Sequence, residues 1–137
     1  MESHTRYVDG KKFETEIGSH RILTDQPDSQ GGANAGPSPP ELLLASLGAC
    51  AGHYAEEYLR TRSLPSRGLE VHVDAQKGTQ PARLASFHIT VTIPEIEEKH
   101  RLGVLRSVKA CLIHNTLLTS PLIEIEVSAA RDLCLTR

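Results

Sequence analysis

The sequence predicts an α+β fold in the order βββ-α-ββ-α-β, with antiparallel strands carrying helices on one face. Three observations predict it. Residues 69–75 and 87–93 alternate apolar and polar side chains, the pattern of a sheet with one buried face. A leucine-rich stretch after Ser38 repeats apolar residues at three- and four-residue steps, the period of a helix. Turn residues punctuate the N-terminal part at Asp9-Gly10 and Gly18-Ser19.

Taken in order, Asp9-Gly10 predicts a two-residue hairpin between Arg6-Tyr7-Val8 and Lys11-Lys12-Phe13, because glycine tolerates positive φ. Gly18-Ser19 predicts a second turn, and residues 20–23 a third strand. Residues 25–38 form a polar loop rich in Gly and Pro, the only long irregular segment and therefore a functional candidate. A helix is expected from residue 39 to about 62. Ser38 suits the N-cap, Pro39 the first helical position, and Glu41 completes a capping box. Its first half is apolar nearly all round, which predicts burial on several sides. Pro65 stops it. After the two alternating strands, Pro94-Glu95 opens a second helical region, with acidic residues in its first turn and Leu105, Val108 and Leu112 at helical spacing. Residues 122–127 alternate again and predict a last strand.

At 137 residues the chain is expected to form a single domain, 1–137, around one core. Its 39% hydrophobic and 23% charged content is that of an ordinary soluble globular protein. A net charge of −2, with scattered basic residues, disfavours nucleic acid or an anionic membrane surface as partner. The longest apolar run, around residues 42–51, is too short to span a bilayer. The first residues lack the apolar stretch of a secretory signal, so a cytoplasmic location is expected. No phosphate loop, dinucleotide fingerprint, metalloprotease helix or nucleophile elbow is present, and no cofactor is expected.

Three cysteines, Cys50, Cys111 and Cys134, are too few and too widely spaced for a disulfide framework. Each is an inert core thiol or a reactive one. Cys50 lies about three turns into the first helix, on a stripe with Leu43, Leu47, Tyr54 and Tyr58. Burial in a helix interface explains it, since free cysteine behaves as a small hydrophobe. Reactivity requires a nearby cation or donor that lowers its pKa, and His53 is within local reach. Cys111, near the end of the second helical region, offers the same choice. It becomes informative only if the fold brings its Cα within about 7 Å of that of Cys50. Cys134 reads as a spare thiol. Cys50-x-x-His53 and Cys111-x-x-His114 each share a helix face, and together they form a Cys₂His₂ set that could hold zinc.

The run Gly31-Gly32-Ala33-Asn34-Ala35-Gly36-Pro37-Ser38-Pro39-Pro40-Glu41-Leu42-Leu43-Leu44-Ala45-Ser46-Leu47-Gly48-Ala49-Cys50, followed by Cys111, resembles the OsmC/Ohr family. These are the osmotically induced and organic hydroperoxide resistance proteins. The strand and helix order fits over nearly the whole chain. The resemblance implies an intertwined homodimer, with sheets wrapped on central helices and the reactive cysteine near the interface. It implies a thiol-dependent peroxidase that reduces organic hydroperoxides to alcohols in oxidative-stress defence, recycled by a dithiol reductant such as a lipoyl group. Carried over, Cys50 matches the peroxidatic cysteine and Cys111 the resolving one. A thiolate attacks the peroxide, alkoxide leaves, and the sulfenic acid condenses with the second thiol. An arginine stabilises both the thiolate and the charge developing on oxygen; Arg21, on the strand feeding the loop, is the first choice and Arg6 the second.

The sequence departs from the family's pattern in two places. The family's catalytic Glu lies ten residues before the cysteine, where this chain has Pro40. Glu41 is the candidate in its stead, although its capping-box role explains it and a continuous helix sets it about 13.5 Å along the axis from Cys50, on the opposite face. Leu112 follows Cys111 where Pro is common. Both departures point to a branch apart from the typical hydroperoxide reductases. Two alternatives stay open: a small-molecule or zinc-binding protein using Cys50, His53, Cys111 and His114 without peroxidase turnover, and a purely structural or stress-associated protein.

Overall fold

A computed structural model describes residues 1–129; Cys134 lies outside them. The chain forms β1 (His4–Tyr7), β2 (Phe13–Ile17), β3 (His20–Thr24), α1 (Pro39–Arg60), β4 (Glu70–Thr79), β5 (Ala82–Thr92), α2 (Glu98–Lys109) and α3 (Leu112–Leu118). This is the expected α+β architecture of antiparallel strands and helices, as two separate sheets, β1-β2-β3 and β4-β5. Among the described residues no helix is long and apolar enough to cross a membrane.

The first hairpin is longer than a two-residue turn. Tyr7 pairs with Phe13, and between them Val8 N–H donates to Lys12 O and Lys12 N–H to Asp9 O. Gly10 supplies the positive φ, +51°. Antiparallel pairing then sorts the side chains. Arg6, Glu14, Glu16 and Arg21 share one face, whereas Tyr7, Phe13, Ile17 and Ile22 share the other. Tyr7, Phe13 and Ile17 are exposed, because contacts between this sheet and the helices are sparse.

The second sheet carries the core. Alternate residues of β4 and β5 are half-buried, and their inner face takes α1 and α2. Helix α1 can lie close to β4 because Gly48 and Gly52 face Val73 and Val71; a Cβ on Gly48 would stand 3.2 Å from the Val73 methyl. The deepest row of α1 is Leu47, Ala51, Ala55 and Leu59, a strict four-residue step. The expected stripe through Cys50, Tyr54 and Tyr58 runs beside it. Val104 and Val108 of α2 close the core against this row. Leu59 is 1% exposed, so Leu59→Ala is expected to cost about 2–5 kcal/mol, read as a lower urea midpoint with an unchanged slope.

Four expectations are corrected. Helix α1 stops at Arg60 rather than about residue 62, with Ser63 at φ +54° and Leu64 N–H returning to Leu59 O, a left-handed C-terminal cap. The second helical region is two helices. Ala110 caps α2, and Cys111 takes extended angles (φ −55°, ψ 131°) before α3, a break that no Gly or Pro announces. Residues 122–127 are not a strand. A strand needs an edge to pair with, and these residues stand in solvent; Ile125 is 84% exposed. Burial of the first half of α1 on several sides is likewise not seen within one chain, since Ala45, Ser46 and Ala49 are exposed.

Candidate functional site

The loop of residues 25–38 is organised by one buried carboxylate. Asp25 is 1% exposed and accepts hydrogen bonds from the backbone N–H groups of Gln26 (2.8 Å), Ala33 (3.0 Å) and Ala35 (3.1 Å). The Ala35 bond, then those of Gln26 and Ala33, hold its pKa below the ordinary carboxylate value against the opposing effect of burial. The loop closes tightly enough that a Cβ on Gly32 would overlap the Gln26 carbonyl. The sequence reading passed over Asp25. Its signal was an aspartate at the entrance of a Gly-rich loop, where a short carboxylate caps local N–H groups.

The pKa shift has a pH consequence. A depressed folded pKa contributes stability above the unfolded value, about 3.9, and that contribution is lost as pH falls through the folded value. Amide protection at Ala33 and Ala35 is therefore expected to persist down to pH values below the ordinary aspartate range. In Asp25→Asn it is expected to fall roughly tenfold or more at neutral pH, with the α1–α2 core amides unchanged by hydrogen exchange.

The loop delivers the chain into α1 through Ser38. The Glu41 carboxylate accepts the Ser38 N–H and hydroxyl, both at 2.7 Å. These bonds, the hydroxyl's first, lower the Glu41 pKa. Cys50 follows on the third turn and is partly exposed. Cys111, at the junction of α2 and α3, is 0% exposed. The fold brings the two together: they form a disulfide with a Cα–Cα distance of 6.0 Å. Sequence could name both thiols but not this distance, which depends on α2 running back along α1 and the chain turning at Ala110.

The other candidates lie elsewhere. Arg21 pairs with Glu16 at 3.1 Å, and Glu16 also pairs with Arg6 at 3.1 Å. Arg6 is held by Glu14 as well. Both arginines thus belong to an ion-pair network on the charged face of the first sheet, and Glu41 to the helix cap. Among the described residues no group of three His, Cys, Asp or Glu side chains is placed to hold a metal, and two of the four proposed zinc ligands are joined to each other. His53 is exposed. The Nδ1 of His114, three residues after Cys111, is buried with no hydrogen-bond partner among the described residues.

A trough of about 1000 Å³ lies between β5, α2 and α3. Leu47 and Val108, each three residues before a cysteine, contribute to its wall with Phe87, Ile89, Val104 and Leu117.

The sequence profile of OsmC-like proteins matches residues 31–126. No curated protein matches the chain. Among solved structures, the chain is similar to a Psychrobacter arcticus 273-4 protein assigned to osmotic stress and detoxification (21% identity, 83% of this chain and 85% of that one, TM-score 0.76). It is similar to an OsmC-like protein of Mycoplasma pneumoniae (19% identity, 87% of each chain, TM-score 0.70). It is also similar to an organic hydroperoxide resistance protein of Legionella pneumophila (14% identity, 84% and 86% of the chains, TM-score 0.60). At these identities the structures speak for the fold. The profile covers the glycine run of the loop, both joined cysteines and more than half of the sequence, and by it the protein belongs to the OsmC-like family.

Proposed function

We propose that this protein is a thiol-dependent peroxidase that reduces organic hydroperoxides to alcohols. The observation that carries the reading is the Cys50–Cys111 disulfide, which joins a partly exposed residue to a fully buried one. Peroxide can reach only the first. The Cys50 thiolate attacks one peroxide oxygen, the O–O bond breaks, and the alkoxide takes a proton to leave as alcohol. Cys111 then displaces water from the resulting sulfenic acid. A dithiol, of which a lipoyl group is one source, returns two electrons by exchange. The apolar trough suits the alkyl part of an organic peroxide better than hydrogen peroxide. Hydroperoxide resistance in the name of the Legionella pneumophila relative supports the same substrate class.

The reading also assigns Arg21 and Glu41 as activating groups, on the strength of the family resemblance. Each holds a partner in this chain, Glu16 and Ser38; Arg21 would exchange Glu16 for the Cys50 thiolate, and Glu41 would exchange Ser38 for the arginine. Assembly belongs to the reading too. Apolar residues lack cover on the Tyr7–Phe13–Ile17 face and at Leu122, Ile123, Ile125 and Val127. A homodimer covers them.

The test supplies reduced protein with a dithiol and follows the loss of cumene hydroperoxide and of hydrogen peroxide, alongside sedimentation of the same sample. Faster consumption of the organic peroxide by a dimeric protein is expected. Equal, uncatalysed loss of both peroxides would refute the activity, and a monomer with full turnover would refute the assembly.

A further inference from the structure

Cys111 is 0% exposed, which leaves a difficulty at the resolving step. A buried thiol is harder to ionise, so at neutral pH little of it becomes thiolate unaided. The thiolate is nevertheless the form that attacks. A base within the protein is needed. His114 stands three residues on, at the third position of α3, whose N-cap is Cys111 itself; a side chain at that position can reach back toward the N-cap residue. The His114 Nδ1 is buried and lacks a hydrogen-bond partner among the described residues. A buried nitrogen left unpaired costs stability, so a partner that comes and goes with the redox state would account for it. In the disulfide Cys111 has no proton to offer. As a thiol it has one.

We propose that His114 takes the proton of the Cys111 thiol as the disulfide closes and returns it when the disulfide opens. On closure the S–H bond of Cys111 breaks, the proton goes to Nδ1, and the sulfur attacks Cys50 Sγ. The group already on Cys50 leaves with the bonding electron pair, as water once protonated when Cys50 is a sulfenic acid. On opening, a dithiol thiolate attacks Cys50, the more exposed sulfur; the S–S electron pair goes to Cys111, and the His114 proton follows. The second thiol of the reductant then frees Cys50. The other charged or titratable groups around the trough are His88 from β5 and Glu98, Arg101 and Lys109 from α2; from α1 the exposed His53 is the nearest imidazole in sequence.

This role rests on the Cys50–Cys111 cycle of the proposed peroxidase but is tested without peroxide. Reduced protein is mixed with an aryl disulfide reagent. Cys50 reacts first and releases one coloured aryl thiolate; Cys111 then displaces the second. His114→Asn keeps a hydrogen-bonding side chain of similar reach but cannot take the proton. It is expected to slow the second release at least about tenfold at neutral pH and to leave the first unchanged. The defect is expected to disappear at alkaline pH, where Cys111 ionises unaided. A second release unaffected by the substitution, or a defect of the same size at every pH, would overturn the proposal. In the unaltered protein the second release is expected to show a solvent deuterium isotope effect and to accelerate as an imidazole loses its proton. A rate that follows thiol ionisation alone would count against it whether or not the variant folds. Loss of peroxide turnover with these results intact would refute the peroxidase and leave the role of His114 standing.

Discussion

Serine at position 50 is expected to abolish peroxide consumption, whereas serine at position 111 is expected to leave one turnover intact. The difference follows from where the two sulfurs sit. Cys50 is partly exposed on α1, so in the proposed reaction it is the cysteine that meets the peroxide. Oxygen at that position has a far higher pKa than sulfur and supplies no thiolate at neutral pH, so consumption falls to the uncatalysed level. Cys111 is enclosed at the α2–α3 junction. Without it, Cys50 still reaches the sulfenic acid but cannot form the internal disulfide. Excess peroxide then drives it up the oxidation ladder to sulfinic acid. A single-turnover assay paired with intact-mass measurement separates the two variants. Both are expected to remain folded, because Ser replaces Cys with little change of volume.

Oxidised protein is expected to be more stable than reduced protein by about 4 kcal/mol, the chain-entropy value for a loop of this size. The disulfide joins residues 61 apart in sequence, so it removes considerable freedom from the unfolded chain. At equal protein concentration the oxidised form should melt on the order of 10 °C higher. Cys111→Ser should match the reduced protein and gain nothing from oxidation. The effect is also local. Helix α3 has seven residues and none is buried; its packing is on α1, beside the disulfide. Reduction is therefore expected to raise hydrogen exchange in α3 far more than in the Leu47–Ala51–Ala55–Leu59 row. Equal melting temperatures for the two redox forms would show that the bond adds nothing to the fold.

The sequence made legible what local chemistry decides. Ser38, Pro39 and Glu41 placed the start of α1 to the residue because an N-cap is a local arrangement. The alternation within β4 and β5 gave their buried face, since period two survives wherever one side of a sheet is covered. What it missed depends on distant contacts. The break at Ala110–Cys111 carries no turn residue, and it exists because the chain must bring Cys111 back to Cys50. Residues 122–127 have a strand's pattern and no edge among the described residues to complete it. The thiols were legible as a pair through resemblance, but their 6.0 Å Cα separation was not. Arg21 lies near the loop in sequence, and strand register, which local pattern does not reveal, sets it beside Glu16 on the charged face. Asp25 went unnoticed because its importance comes from three N–H groups, two of them a loop's length away.

The central claim is that a peroxide drives Cys50 and Cys111 into the bond seen between them. The most direct measurement adds one equivalent of cumene hydroperoxide to reduced protein, blocks remaining thiols, and maps both cysteines by mass spectrometry. The expected result is a Cys50–Cys111 linked peptide pair formed in proportion to the peroxide added, reopened by a dithiol. Free, alkylated thiols at both positions with the peroxide unconsumed would contradict the account.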